Sequence, residues 1–146
     1  MKVVIVGAWN RPEKDDAPLV NELMTALAKL YPDLKIITGG CDRGVGKIVK
    51  NRCCPADRKT QQEFDWLECN IRIFYDHPNK SVLAQIWAAR NAFFAEMGEE
   101  FHIFMDAPHG QGGGAMQDLL DRVMAANLPY SLYYPGKDLK PKLFNQ

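Results

Sequence analysis

The feature that most constrains the fold is a regular alternation of short apolar runs with longer segments of helical periodicity. The first run, residues 2–6, is rich in β-branched side chains and is followed directly by a glycine. This pattern is typical of a strand buried on both faces of a parallel sheet, so we expect it to be the central strand. The connections between the predicted elements are short, and consecutive elements should therefore pack against one another.

The later segments continue this alternation. A helix should begin with Asp15 or Asp16 as its cap and Pro18 in its first turn, and Ser81 should cap another. Further strands are predicted at 34–38, 71–75, 101–105 and 130–134, and further helices from residue 45, at 56–69 and at 116–126. Together these elements predict a Rossmann-like, doubly wound α/β fold with a mainly parallel five-stranded sheet and helices on both faces. We expect one domain over residues 1–146, with 135–146 as a loosely held tail.

The charge balance and the length of the apolar runs limit which partners and which location we expect. The chain has 146 residues, and its 18 basic and 18 acidic side chains cancel. A balanced charge gives no global field toward nucleic acid or an anionic membrane, so neither is an expected partner. No apolar run approaches the length of a membrane span or of a signal-peptide core, and we expect a cytoplasmic protein.

The cysteines do not indicate a metal site. Cys41, Cys53, Cys54 and Cys69 include no C-x-x-C pair and have no histidine at ligand spacing. Zinc binding is therefore not expected, and we predict no cofactor. In a cytosolic protein such thiols should stay reduced and pack as small hydrophobic side chains.

Two glycine-rich turns are the strongest functional signals. The stretches 39–46 (G-G-C-D-R-G-V-G) and 106–118 (D-A-P-H-G-Q-G-G-G-A-M-Q-D) each join a predicted strand to a predicted helix. Glycine lets the backbone approach a ligand closely, and the free N–H groups of a helix start attract phosphate. One such run could equally be a surface loop, but two at strand-to-helix junctions favour ligand binding. The candidate ligand-binding residues in these turns are Gly39, Gly40, Arg43, Gly44, Gly112, Gly113, Gly114 and Ala115.

The segment after the first strand adds three candidates, Gly7, Trp9 and Arg11. It lies at the carboxyl end of the strand, where open α/β sheets bind their ligands. Trp9 could stack on a base or cover the sheet edge. Arg11 could pair with a phosphate or remain a solvated loop cation.

Several motifs in this order resemble the SLOG superfamily of Rossmann-like nucleotide-binding proteins. They are V-V-I-V-G, I-I-T-G-G-C-D-R-G-V-G, A-A-R-N and the glycine cluster before a helix. That superfamily includes the Lonely Guy phosphoribohydrolases and the Smf/DprA proteins. The order and spacing are most similar to small, stand-alone SLOG proteins of bacteria and phages, over residues 2–134. The resemblance implies a nucleotide or nucleotide derivative as ligand and a homo-oligomer of at least two subunits, for which the apolar helix 81–97 would provide an interface.

The phosphoribohydrolase branch has a helical arginine and a P-G-G-x-G-T-x-x-E stretch. By resemblance, Arg90 matches the arginine, Gly112 the second glycine and Asp118 the glutamate. Ala115 lacks the hydroxyl group of the family's threonine, Gly110 and Gln111 replace Pro-Gly, and aspartate is one methylene shorter than glutamate. These departures favour binding, or altered chemistry, over the standard hydrolase.

Roles for three polar residues follow if the ligand phosphate lies on residues 112–115. Arg90 would neutralise it, and Asp118 would stabilise the cationic ribose formed when an N-glycosidic bond breaks. Asn91 would hydrogen-bond the ribose. The alternatives are a surface ion pair for Arg90, a solvated helix face for Asn91, and a favourable first-turn acid for Asp118.

Three hypotheses for function result. The first is a binder of a nucleotide or nucleotide derivative, with action on its N-glycosidic bond left open. The second is a nucleoside 5'-monophosphate phosphoribohydrolase of the Lonely Guy type. The third is a DNA-binding protein like the Smf/DprA relatives, and the zero net charge counts against it.

Overall fold

A computed structural model describes residues 1–8, 10–39, 43–55, 64–71, 78–106 and 114–134. Strands and helices alternate along the chain in these ranges. The elements are β1 (Lys2–Gly7), α1 (Glu13–Leu30), β2 (Lys35–Thr38), α2 (Gly44–Cys53), β3 (Asp65–Glu68), α3 (Lys80–Met97), β4 (Glu100–Phe104), α4 (Gly114–Ala125) and β5 (Tyr130–Tyr133).

The strands form one parallel sheet in the order β3-β2-β1-β4-β5, with β1 at its centre as predicted. Val4 of β1 pairs with Ile37 on one side and with Phe101 on the other. The chain builds outward from β1 to β3 and then returns to place β4 on the opposite side of β1. A topological switch point therefore lies between β1 and β4, at the carboxyl edge of the sheet.

Helices cover both faces of the sheet, which confirms the doubly wound fold. Successive side chains of a strand point to opposite faces. Val3 and Ile5 accordingly belong to a buried apolar cluster with residues of α1 and α2, whereas Val4 and Val6 belong to a second cluster with residues of α3 and α4. Burial of β1 on both faces explains why its sequence is continuously apolar rather than alternating.

The third strand lies at Asp65–Glu68, within the segment predicted as a helix, so that prediction is wrong there. Trp66 packs against the cluster on one face of the sheet and Leu67 against the cluster on the other. This two-residue period belongs to a strand, and a run of only four residues is too short to display it in the sequence. Residues 56–63, and all but the first residue of the predicted strand 71–75, lie outside the described ranges, as does the tail 135–146.

Both predicted helix caps differ from the structure. Helix α1 starts at Glu13 after Pro12, and Asp16 is a buried partner of Arg11 rather than a cap. Helix α3 is capped by Asn79, whose Oδ1 accepts hydrogen bonds from the N–H groups of Ser81 and Val82. No helix in the described ranges is long and apolar enough to cross a membrane.

A network of hydrogen-bonded polar side chains links the end of α1 to the strands β4 and β5. The Tyr31 hydroxyl donates to Glu100 Oε1 at 2.7 Å, and His102 Nε2 lies 2.9 Å from Glu100 Oε2. His102 Nδ1 is 2.8 Å from the hydroxyl of Tyr133. An ionised carboxylate only accepts, so Nε2 carries the proton directed at Glu100.

The hydrogen bonds in this network favour the ionised form of Glu100. Burial acts to raise the pKa of Glu100, but the hydrogen bonds from His102 and Tyr31 outweigh it and hold this pKa below its ordinary value. The hydrogen bond to Glu100, together with burial, raises the pKa of Tyr31 to about 12. Burial likewise raises the pKa of Tyr133.

We predict that Tyr31→Phe lowers the free energy of unfolding by about 1.5 kcal/mol at pH 7, because it removes a hydrogen bond to an ionised acceptor. The folded-state pKa of Glu100 is depressed below its ordinary value of 4.5. The difference in free energy of unfolding between wild type and variant should therefore reach its full size above pH 4.5, and it should shrink as the pH falls through the folded-state pKa. Since the pKa of Tyr31 is raised, the difference should also shrink above pH 10. Urea titrations from pH 3 to 11 measure both windows.

Tyr130→Phe is the matched control, because Tyr130 is an exposed tyrosine on β5. It should change the free energy of unfolding little at any pH. A loss in Tyr31→Phe that stays constant down to pH 3 would contradict a role for the Glu100 carboxylate.

Candidate functional site

A pocket of about 280 Å³ lies at the switch point of the sheet. Its walls come from the segments that follow β1 and β4, from α3 and from the first turn of α4. This is where open α/β sheets bind ligands, because the strand ends diverge there and helix N-termini point inward. The described lining residues are Gly7, Ala8, Asn10, Trp87, Asp106, Gly114, Ala115 and Met116.

Gly7 allows close packing behind the pocket. A Cβ atom at this position would lie 2.7 Å from Val45 Cγ2 and 3.0 Å from Phe104 Cβ, which is too close for either neighbour. The next N–H group, that of Ala8, donates to the Phe104 carbonyl at 2.8 Å and prolongs the pairing of β1 with β4. Gly7, a predicted ligand-binding residue, therefore lines the pocket and also keeps α2 tight against the sheet.

Arg11 forms a buried ion pair. Its Nε and Nη2 atoms donate to the two carboxylate oxygens of Asp16 at 2.8 and 2.6 Å, and Nη1 donates to the carbonyl of Met105. Its side chain is 8% exposed and that of Asp16 is 1% exposed. The interpretation of Arg11 as a solvated cation is therefore wrong. Its donors hold the backbone beside the pocket, and Arg11 is not among the described lining residues.

Arg90 is also buried, at 3% exposure, so its interpretation as a surface ion pair is wrong. Its guanidinium group fills the space above Gly39, where an added Cβ would lie 1.4 Å from Nη2. The guanidinium carbon is 5.6 Å from the ring centroids of both Trp87 and Phe94. The structure thus brings Arg90 to the carboxyl end of β2, behind the tryptophan that lines the pocket.

Asn91 connects α3 to the first turns of α4. It is fully buried, so its interpretation as part of a solvated face is wrong. Its Nδ2 donates to the Ala115 carbonyl at 2.7 Å and to Asp118 Oδ2 at 3.0 Å. Arg122 Nε donates to the same oxygen of Asp118 at 2.9 Å. Asp118 lies beyond the first turn of α4, which contains no acidic residue, so the first-turn alternative for Asp118 is also wrong.

The first N–H group of α2 is bound by a carboxylate from the protein itself. Gly44 has a φ of 63°, and its N–H donates to Glu13 Oε1 at 3.2 Å. Lys47 Nζ lies 3.5 Å from the other oxygen of Glu13. An internal anion thus binds the N–H group of Gly44, which the sequence analysis proposed as a ligand-binding residue. Arg43 is exposed at the start of this helix.

The first residues of α4 line the pocket. Gly114 has a φ of 79°, which favours glycine, and a Cβ atom added there would have no other atom within 4 Å. Gly114 and Ala115, two of the predicted ligand-binding residues, both line the pocket. Trp9, Gly40, Gly112 and Gly113 were also predicted as ligand-binding residues, and they lie outside the described ranges.

Several lining residues were not among the sequence candidates. Asp106 lies two residues after the end of β4, and its place directly after the predicted strand 101–105 was a usable signal. The Asp106 carboxylate has no hydrogen-bond or ion-pair partner in the part of the chain that the structure describes. Trp87 lies one helical turn before Arg90 and Asn91, and its place at the pocket depends on how α3 packs. No sequence pattern around Asn10 or Met116 indicated that either residue would line a pocket.

The cysteines are dispersed in the described part of the chain. Cys53 and Cys69 are buried, and Cys54 is exposed. Burial raises the pKa of Cys53 to about 12, so this thiol stays protonated at neutral pH. No cluster of three or more His, Cys, Asp or Glu side chains that could hold a metal is found within the described ranges.

We predict that Gly39→Ala lowers the free energy of unfolding by about 1–3 kcal/mol, because the new methyl group overlaps the Arg90 guanidinium. In an Arg90→Met background, Gly39→Ala should lower the free energy of unfolding much less, because the guanidinium atoms that the methyl group overlaps are absent. The coupling energy between the two positions should exceed about 1 kcal/mol in a double-mutant cycle measured by urea denaturation.

Gly98→Ala is the control for this cycle. Its new methyl group would meet Val4 and Phe101 rather than Arg90, and it should cost the same in both backgrounds. Equal costs of Gly39→Ala in the two backgrounds would show that Arg90 does not fill the space above Gly39.

Comparison with known proteins does not assign the chain to a family. No protein-family model matches it, and no match was found among curated proteins or solved structures. The resemblance to the SLOG superfamily therefore stays a prediction from the sequence motifs. The pocket at the switch point is independent of that resemblance.

Proposed function

We propose that the protein binds a nucleotide or nucleotide derivative in the pocket at the switch point, with the ligand phosphate at the N-terminus of α4. The observation that carries the proposal is the position of this pocket between the ends of β1 and β4, with the first turn of α4 in its wall. Its volume of about 280 Å³ is near the lower end for small-molecule sites and favours a mononucleotide over a dinucleotide.

The helix starts at the carboxyl edge of the sheet differ in their suitability for an anion. The first turn of α1 already contains three acidic residues, Glu13, Asp15 and Asp16. The start of α2 holds the Glu13 carboxylate, and the start of α3 is capped by Asn79. The first turn of α4 has no acidic residue and faces the pocket. The positive end of the α4 dipole therefore favours phosphate there.

The other walls suit the base and sugar of a nucleotide. Trp87 offers an aromatic surface for stacking, and Asn10 offers an amide with both donors and an acceptor. Arg90 lies behind Trp87 and adds positive charge to this end of the sheet. Its role in the proposal is electrostatic support, because its guanidinium is buried against Gly39.

The proposal is for binding rather than for cleavage of the N-glycosidic bond. The hydrolase hypothesis assigns stabilisation of the cationic ribose to Asp118, but Asp118 accepts hydrogen bonds from Asn91 and Arg122 and is not among the described lining residues. DNA binding is not favoured either, since basic and acidic residues cancel.

The proposal also includes a cytoplasmic location and a homo-oligomer. Reduced thiols are typical of cytosolic proteins. Helix α3 supports an interface because many of its apolar residues are only partly buried within the described structure. Its arginine, Arg90, is buried and therefore adds no charge to that surface. The partly buried apolar residues are Val82, Leu83, Ile86, Trp87, Phe93 and Met97.

We predict that Ala115→Asp weakens AMP binding at least tenfold, because a carboxylate in the first turn of α4 competes for the site of the phosphate and repels it. The same substitution should leave thermal stability unchanged or slightly raised, by up to about 1 kcal/mol, because an acid at this end of a helix is favourable. Isothermal titration calorimetry with AMP and a thermal unfolding curve measure the two effects.

Ala115→Asn is the matched control, with nearly the same size and no charge. It should bind AMP within a few-fold of wild type. Equal losses in the two variants would show that bulk rather than charge matters, and failure of the wild type to bind AMP or any other nucleoside monophosphate would rule out the proposal.

We also predict that the wild type releases no free base from AMP. The measurement is chromatography of adenine after prolonged incubation. Release of adenine that is abolished by Asp118→Asn would replace the binding proposal with the phosphoribohydrolase hypothesis.

A further inference from the structure

We propose that Asp106 binds the vicinal hydroxyl groups of a ribose, so that the ligand of this pocket is a ribonucleotide rather than a deoxyribonucleotide. This inference rests on the proposed function and specifies its ligand. It assigns a specificity-determining role to a residue at the end of β4.

Asp106 is a charged side chain at a pocket whose other described walls are neutral. The remaining lining residues are glycines, alanines, one methionine, one tryptophan and one asparagine. Asp106 is exposed, and its carboxylate has no hydrogen-bond or ion-pair partner within the described ranges. Two other carboxylates at this edge of the sheet do have partners, since Asp16 binds Arg11 and Glu13 binds Gly44 and Lys47. The carboxylate of Asp106 is therefore available to a ligand.

The charge of Asp106 restricts which part of a ligand it can contact. A carboxylate accepts hydrogen bonds and repels phosphate, so the phosphate must lie at the α4 end of the pocket and a donor-rich group must face Asp106. A nucleotide has two sources of such donors, the ribose hydroxyls and the amino group of some bases. Two neighbouring hydroxyls match the two oxygens of one carboxylate, and the ribose is the part of a mononucleotide next to the phosphate. These two points favour the ribose.

The direct test compares AMP, 2'-deoxy-AMP and IMP by calorimetry on the wild type and on Asp106→Ala and Asp106→Asn. The wild type should bind AMP about tenfold more tightly than 2'-deoxy-AMP, as expected for a hydrogen bond to an ionised acceptor. It should bind AMP and IMP with similar affinity, since these differ only in the base. In both variants the preference for AMP over 2'-deoxy-AMP should fall to about twofold or less.

A second expected result separates recognition from a general loss of the site. Asp106→Ala removes the acceptor of both hydroxyls and also a negative charge that repels phosphate, so its affinity should fall much more for AMP than for 2'-deoxy-AMP, which has only the 3'-hydroxyl to lose. Asp121→Ala is the control, because it removes the same charge from an exposed position on α4. It should keep the wild-type preference for AMP. Asp106→Asn preserves the shape of the side chain and serves if the alanine variant does not fold.

The outcomes distinguish this inference from the proposed function. Equal binding of AMP and 2'-deoxy-AMP by the wild type would overturn the ribose assignment and leave nucleotide binding intact. A strong preference for AMP over IMP that is lost in Asp106→Asn, with no effect of the 2'-hydroxyl, would overturn it in favour of the base amino group. Absence of binding to all three nucleotides would overturn the proposed function itself, and with it this inference.

Discussion

The buried ion pair between Arg11 and Asp16 is the interaction on which the carboxyl edge of the sheet depends. It fixes the segment after β1 to the first turn of α1, and through Nη1 it also binds the carbonyl of Met105 at the end of β4. Burial of two charges destabilises a fold unless the charges are well paired. Removal of one partner of such a pair lowers the free energy of unfolding by about 3–5 kcal/mol in other proteins. The pair therefore ties two sides of the switch point together, and the pocket lies between the segments that it holds.

The two helix starts that follow the glycine-rich stretches, those of α2 and α4, differ in what lies at them. Before α2, Glu13 reaches across from α1 and supplies the anion that the free N–H group of Gly44 requires. Before α4, the first turn has no acid and faces the pocket. The start of α2 thus contributes to the packing of α1 against α2, while the start of α4 faces the pocket. The difference arises from tertiary contacts and not from the glycines themselves.

Helix α3 reverses the usual arrangement of a surface helix. Its buried residues include Arg90 and Asn91, whereas many of its apolar side chains are only partly covered in the described structure. Arg90 fits because Gly39 has no side chain, and Asn91 fits because α4 presents a carbonyl and a carboxylate to it. Both polar residues hold elements that form the pocket, so their burial contributes to its shape.

The sequence by itself determined the fold class, the central position of β1 and the edge of the sheet at which a pocket would form. These depend on local period and on turn chemistry, which a single sequence displays. It failed for β3, whose four residues are too few to reveal a two-residue period, and for Arg11, Arg90 and Asn91, whose burial depends on contacts with other elements. Tertiary structure alone decided that Glu13 binds the start of α2 and that Trp87 and Asp106 line the same pocket. The physical reason is that burial and ion pairing are properties of surfaces brought together by packing, and no local pattern records which surfaces those are.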